Sequence, residues 1–277
     1  MPELPEVETM RRGIETVTGH TIELLLLEKC AKKPISIKPR FSTLQRRVHQ
    51  QKITRIDRIG KRLIFELANQ QIIVFEPRMT GLVTLAEPPS LEHVRLRFRF
   101  KTNHPDLLVW DRRGLSTLTL YQPREFANRF DESRLGPDAL TISQQQLMSK
   151  LGKRSIPIKV GLLDQKALAG IGNIYASEIL FVAKVDPRTA CNQLTKQQWS
   201  RIYRQVSVIL REAIKYEGSS LNDGTFRTAL NEPGRYQNHH RVYDRDDELC
   251  SRCKRQKIVR IVQAQRSTFF CPRCQKP

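Results

Sequence analysis

The sequence lacks several things, and each lack excludes a class. No stretch approaches the roughly 18–20 consecutive apolar residues of a membrane-spanning helix. The longest apolar run near the start, Leu24 to Leu27, is only of strand length. The first residues also lack the basic-then-apolar layout of a secretory leader, so an intracellular protein is expected. Acidic residues are scarce, with 28 Asp+Glu against 48 Lys+Arg, a formal charge of +20 and a pI near 10.1. That imbalance implies a polyanionic partner, nucleic acid or an acidic membrane face, and the spread of cations over strands and turns favours nucleic acid. No internal repeat and no low-complexity tract is present.

Cysteine is sparse, and its distribution is uneven. Of the six cysteines, Cys30 and Cys191 stand alone and read as inert thiols, while the other four form two pairs near the C-terminus. In a reducing compartment these are not disulfides. Cys250-x2-Cys253 and Cys271-x2-Cys274, seventeen residues apart, have the spacing of two zinc knuckles. Two intervening residues let both thiolates of a knuckle turn onto one metal, and four thiolates close the tetrahedron, so one structural zinc ion is expected. The stretch between the knuckles, KIVRIVQAQRSTFF, reads as a hairpin carrying Arg260 and Arg266.

What is abundant is punctuation and period. The chain opens MPELPEVET, crowding two prolines and two glutamates into six residues where termini are usually tolerant of change. Pro5 suits a first helical turn, and Val7, Met10, Ile14 and Val17 follow at helical spacing up to Gly19. Strands are predicted over 21–27, 52–57, 62–67, 71–75 and 94–101, and around 107–110 and 115–120, with one helix over roughly 42–51. In VRLRFRFK (94–101) apolar residues alternate with Arg95, Arg97, Arg99 and Lys101, predicting one uniformly cationic face.

The polar segment DESRLGPDALT (131–141) reads as a linker, and beyond it the period turns helical over 143–151, 156–168, 173–185 and 195–218. The expected fold is α+β: an N-terminal β-sandwich domain with a leading helix (1–131), a linker (132–142), a helical domain (143–242) and a four-cysteine zinc segment (243–277). The helical domain ends in an aperiodic Gly/Asn/Ser-rich loop, 218–242, long enough to be functional.

With these features together, the sequence resembles the formamidopyrimidine-DNA glycosylase family along essentially its whole length. The motifs are MPELPEVE at the start, RIGKRL (58–63), RMTG (78–81), PREF (123–126), LLDQKALAGIGNIYASE (162–178) and the terminal CPRCQ. The sister endonuclease VIII-like branch typically has Gly where this chain has Leu4. The resemblance implies a bifunctional glycosylase/lyase that excises oxidised purines from duplex DNA, with a helix–two-turns–helix element around AGIGNIYASE. It further implies a monomer working on double-stranded DNA in the bacterial cytoplasm, at the nucleoid.

Its catalytic roles map residue by residue. Once Met1 is removed, Pro2 would be the nucleophile, since an α-amine of pKa about 7.7–8.0 is partly neutral at cellular pH. Glu3 would be the acid–base group on the opening sugar, and Glu6 the carboxylate beside the extruded nucleotide. Lys61, Asn173, Lys159, Tyr243 and Arg266 would serve the phosphates, with a simple helix cap as the other reading of Asn173. Met79, Arg124 and Phe126 would fill the space left by a flipped base. Ser220 and Thr225 would meet that base from the loop.

Several positions depart from the family pattern. Glu76-Pro77 stands where His-Leu is usual, Gln122 replaces Asp, Glu125 a basic residue and Ala127 a glycine, and AQRST replaces a Gly-Gly-Arg-Gly-Thr turn. These departures leave two alternatives: an oxidised-pyrimidine enzyme like the sister branch, or a catalytically weak lesion-binding protein. A zinc-ribbon RNA-binding module is a third, but it gives no reason for the N-terminal constellation.

Overall fold

The computed structural model describes residues 2–131, 133–221 and 224–276. Met1, Glu132, Asn222, Asp223 and Pro277 lie outside the described residues. With them lie the state of Met1, two positions of loop 218–242, the first residue of the predicted linker and the last of the zinc segment. The chain divides into two compact units, Met1–Asp131 with Tyr216–Arg235, and Glu132–Lys215 with Tyr236–Pro277.

The first unit is a two-layer β-sandwich. One sheet has the order β1 (Ile22–Leu27), β7 (Val94–Phe100), β8 (Leu107–Asp111), β6 (Gly81–Thr84), antiparallel throughout. The other has the order β2 (Ser36–Lys38), β9 (Thr117–Tyr121), β5 (Ile72–Glu76), β4 (Arg62–Leu67), β3 (Ile53–Ile59), with β2 and β9 parallel. Inward-facing Leu63, Phe65, Ile73 and Phe75 meet Leu96, Phe98 and Val109 in one core. Helix α1 (Leu4–Gly13) adds Val7 and Met10 to that core, and Ile14 and Val17 continue it on a short 3₁₀ turn. Each such side chain contributes about 1.5–3 kcal/mol by leaving water. Helix α2 (Phe41–Val48) covers the β1 side through Leu44 and Val48.

The segment 216–235 belongs to this unit rather than to the helical one. Phe226 and Ala229 enter the sandwich core, and the Ala229 carbonyl accepts from the Leu85 amide and the Thr84 hydroxyl.

Among the described strands and α-helices, three were not foreseen: β2, β6 and helix α3 (Pro123–Arg129). The predicted cationic face of β7 needs correction. Arg95 is buried and donates to the Asp111 carbonyl, while Arg97 pairs with Glu28 at 2.7 Å and Asp106 at 3.1 Å. Arg95 and Arg97 are thus engaged inside the fold, and only Arg99 and Lys101 of that face are exposed.

The second unit is helical: α4 (Gln144–Leu151), α5 (Ile158–Leu163), α6 (Asn173–Ala183) and α7 (Lys196–Lys215), followed by the hairpin β10 (Val259–Gln263) and β11 (Arg266–Phe270). The predicted helix 156–168 is cut short at Leu163, where Asp164 takes an extended conformation. Residues read as linker fold onto this unit, with Leu135, Ala139 and Ile142 buried and the Ala139 amide donating to the Ala169 carbonyl.

Candidate active site and nucleic-acid interface

The first turn of α1 is built to hold carboxylates where carboxylates are costly. Everything from Pro2 to Met10 is buried, with Glu3 2% and Glu6 1% exposed. Glu3 is the N-cap, extended at φ −103°, and Glu6 stands three residues on in a capping-box arrangement. One Glu6 oxygen accepts from the Glu3 amide at 2.8 Å, and the other accepts from the Ser219 amide, also at 2.8 Å. Gly218 makes the second contact possible: its φ is +77°, and a Cβ there would stand 2.8 Å from Glu6 Oε1. Glu6 thus ties the residue beside Pro2 to the start of loop 218–242.

Glu8 extends the arrangement. It accepts from Arg11, Arg12 and Arg58 Nε, the last at 3.1 Å. Burial pushes its pKa up, but hydrogen bonds from Arg11 and Arg12 and the charges of Arg11 and Arg58 hold it below the usual carboxylate value. Arg58 also donates to the Gly60 carbonyl at 2.9 Å, so the β3–β4 turn that carries Lys61 is braced on α1.

Met79 stands at a tight turn before β6 and is 40% exposed. Gly81 is needed there, because a Cβ would meet Ser116 Oγ at 2.2 Å and the Pro77 carbonyl at 2.7 Å. Asp111 holds the turn from behind. Its carboxylate accepts the Thr80 hydroxyl and the amides of Arg113, Leu115 and Ser116, the amides at 2.8–3.0 Å. Burial pushes the Asp111 pKa up, and those bonds, led by Thr80, bring it below 3.8. Arg113 reaches the Met79 sulfur at 3.6 Å. The signal for Asp111 was present: an Asp closing an apolar strand ahead of Arg-Arg-Gly.

Arg124 and Phe126 sit on α3, whose residues are all at least partly exposed. Phe126 packs on Phe130 at 4.8 Å and faces Tyr121 at 6.3 Å. The departures Gln122 and Glu125 are one feature: they are the N-cap and third helical residue of a capping box, and Glu125 accepts from the Gln122 amide at 3.0 Å. Glu76 is likewise answered inside the fold, by Arg62 at 3.1 Å and Arg78 at 3.5 Å.

In the segment 216–235, the Ser220 hydroxyl donates to the Phe226 carbonyl at 2.6 Å and accepts from the Gly234 amide at 2.9 Å. Thr225 is buried beside it.

In the second unit, Asn173 is the first residue of α6 and Gly172 is the N-cap, so the cap reading of Asn173 fails. Its Oδ1 instead accepts from Lys159 Nζ at 2.7 Å. Lys159 is fully buried, and its other two protons go to the Ser267 carbonyl and the Thr268 hydroxyl, both at 2.7 Å. Three donors on three acceptors leave it no proton for a phosphate; it stands behind Asn173 and joins it to β11, next to Arg266.

Tyr243 is positioned by its backbone. Its amide, with those of Arg241 and Val242, donates to the fully buried Glu178 at 2.9–3.0 Å. Burial raises the Glu178 pKa against the pull of those amides and of Arg241. Glu178 was quoted in the AGIGNIYASE motif without a role; an acid among the apolar positions of a helix was the signal.

Arg266 is exposed at the start of β11, directly after the turn Ala264-Gln265. Both turn residues are left-handed, at φ 46° and 60°, in the positions the AQRST departure leaves without glycine.

The four knuckle sulfurs lie within 4.8 Å of one another, with Cys250–Cys274 at 3.9 Å and Cys253–Cys271 at 3.8 Å. A tetrahedron of thiolates about 2.3 Å from zinc has edges of nearly this length. The Arg255 and Gln256 amides pull the Cys253 thiol down to about 6, while burial and the neighbouring sulfurs push Cys274 up to about 12. Four sulfurs this close become thiolates together only around a cation, and an all-sulfur set suits one structural zinc ion.

Three family profiles match the chain: the formamidopyrimidine-DNA glycosylase N-terminal domain over residues 1–118, its H2TH domain over 135–225, and a zinc finger found in FPG and IleRS over 247–277. A formamidopyrimidine-DNA glycosylase of Streptococcus thermophilus is 37% identical with all of both chains covered. One from Chloroflexus aurantiacus is 35% identical, covering 99% of this chain and 98% of its own. Among solved structures, a Lactococcus lactis FPG mutant in complex with a Fapy-dG containing DNA has a TM-score of 0.89 at 33% identity, covering all of both chains. The Lactococcus lactis Fpg with an abasic site containing DNA gives 0.88 at 33%, covering 99% of this chain and 100% of that one. The chain belongs to the formamidopyrimidine-DNA glycosylase family of base excision repair.

Proposed function

We propose that this protein removes oxidised purines, 8-oxoguanine and formamidopyrimidines, from duplex DNA and then cleaves the strand at the abasic sugar. The observation that carries this reading is the pair of buried glutamates in the first turn of α1, next to Pro2. Burying carboxylates costs free energy that a helix cap alone does not require.

After loss of Met1, the Pro2 nitrogen lone pair attacks the sugar C1′ and the bond from C1′ to the base breaks, the electron pair leaving with the base, which takes up the proton that the Pro2 nitrogen sheds. Glu3 delivers a proton to the sugar ring oxygen as the ring opens, and nitrogen and C1′ become a cationic Schiff base. Loss of a C2′ proton sends its electron pair into the iminium, giving an enamine, and that pair then expels the 3′ phosphate as the C3′–oxygen bond breaks; repeating the elimination at C5′ gives β,δ-cleavage.

Lys61, Asn173, Tyr243 and Arg266 grip phosphates, with Lys159 acting through Asn173. Met79, Arg124 and Phe126 occupy the space of the flipped base, and Ser220 and Thr225 shape the loop beside it. Zinc holds the hairpin that carries Arg266. The protein works as a cytoplasmic monomer on lesion-containing DNA. No helix among the described residues is long and apolar enough to cross a membrane. The lesion-binding alternative drew on Glu76, Gln122 and Glu125 and on the glycine-free zinc hairpin; the first three each have a partner within their own unit, and the hairpin turn keeps Ala264 and Gln265 left-handed.

Borohydride trapping on a duplex with one 8-oxoguanine opposite cytosine tests the reading. A covalent complex is expected, with strand cleavage reduced about 10²-fold or more by Glu3→Gln. Pro2→Gly retains an α-amine and should still be trapped. Binding without any trapped species, in protein shown by mass to lack Met1, would overturn it.

A further inference from the structure

The first unit contains a cavity unconnected with α1 or with the 216–235 segment. It lies where β1 ends and β2 begins and measures about 290 Å³. Its walls are apolar, formed by Leu27, Pro34, Ile35 and Ile37. Three charged residues also line it: Glu28, Lys32 and Arg95. The Glu28 carboxylate is already taken, accepting from Arg97 at 2.7 Å.

Arg95 is the unusual member. It comes from β7, is 2% exposed, and forms no ion pair among the described residues. Its Nε donates to the Asp111 carbonyl at 2.8 Å and its Nη1 reaches the Lys32 carbonyl at 3.4 Å. Nη2 is enclosed and has no hydrogen-bond partner among the described residues. A guanidinium cannot relieve its burial by giving up a proton, so a buried one without a counter-charge is a costly feature that an anion would relieve. A phosphate of duplex DNA is too large to reach a side chain this deeply buried. A small molecule with an apolar body and one carboxylate fits both the walls and the charge.

We propose that this cavity binds a small organic carboxylate, its apolar part against Leu27, Pro34, Ile35 and Ile37 and its carboxylate completing the hydrogen bonds of Arg95, with Lys32 adding a second positive charge. Cys30 lines the same cavity, donating to the Glu92 carbonyl at 3.0 Å, and reports occupancy.

The test uses the full chain with zinc bound, and benzoate as the probe. Benzamide is the neutral molecule of the same shape. Benzoate is expected to shift the Ile35 and Ile37 methyl resonances and the Arg95 side-chain resonance saturably, and to slow alkylation of Cys30 by iodoacetamide. Benzamide should bind about tenfold more weakly or worse, the size expected for losing a charge-assisted hydrogen bond. Arg95→Met should abolish the preference for benzoate. Ile37→Trp, which fills the cavity and leaves Arg95 in place, should abolish binding of both probes. Equal binding of benzoate and benzamide, or no saturable shift in the millimolar range, would overturn the proposal and leave water as the partner of Arg95.

Discussion

Helices α1 and α3 begin with the same device and use it in opposite ways. Glu3-Leu4-Pro5-Glu6 and Gln122-Pro123-Arg124-Glu125 each set a capping-box carboxylate against the N-cap amide, at 2.8 Å and 3.0 Å, with a proline in the first turn. In α1 that carboxylate is buried and also serves the Ser219 amide; in α3 it is exposed. Local chemistry therefore specifies where each helix starts, and burial decides what else the start does. At α1 the cap becomes a rigid platform for Pro2 and Glu3. At α3 it holds a short helix that presents Arg124 and Phe126 to solvent.

The contrast can be broken most sharply at Glu6. Glu6→Ala should cost about 2–4 kcal/mol of stability, because it leaves two buried amides without their acceptor, as chemical denaturation would measure. Asp111 is a buried carboxylate that caps no helix, and Asp111→Asn should cost about 1–3 kcal/mol by the same reasoning. Its pH dependence separates the two terms. A folded pKa held below the unfolded 3.8 gives stability that is present above that value and lost as pH falls through the folded pKa. Asp111→Asn should therefore flatten the acid limb of the stability curve, and an unchanged limb would show that Asp111 is not so held.

Glu125→Ala, on the exposed member of the pair, should cost only about 0.5–1 kcal/mol. The smallest effect is a gain. Replacing Ala264 and Gln265 by Gly relieves two left-handed positions, and the melting temperature of the zinc-bound protein should rise by the equivalent of about 0.5–1 kcal/mol.

The same distinction explains what was legible in the sequence. Elements with a buried face announced themselves: β7 by alternation, α1 and α7 by helical spacing, the zinc site by its paired cysteines. Helix α3 has no buried residue, so it carries no apolar period, and β6 is buried at all four positions, so it carries no alternation. Charges were read least well, because their partners are distant in the chain. Arg97 meets Glu28 across 69 positions, and Lys159 meets Thr268 across 109. Both looked like cations waiting for a polyanion, and both have their partners inside the protein. The residues of the catalytic proposal were recognisable because the motifs that carry them are contiguous. Asp111 was missed because it lies outside those motifs, and Glu178, though inside one, was left without a role because the amides it serves are 63–65 positions away.

The central claim is that the buried cap of α1, unlike the exposed cap of α3, is part of the reaction centre. Single-turnover release of 8-oxoguanine by Glu6→Gln and Glu125→Gln, measured where both remain folded, tests it most directly. Gln can accept from one of the two amides that Glu6 serves and turns its own amide group toward the other. Glu6→Gln is expected to slow release by at least about tenfold, while Glu125→Gln stays within about twofold of the parent. Equal rates in the two variants, or a slower Glu125→Gln, would contradict the account.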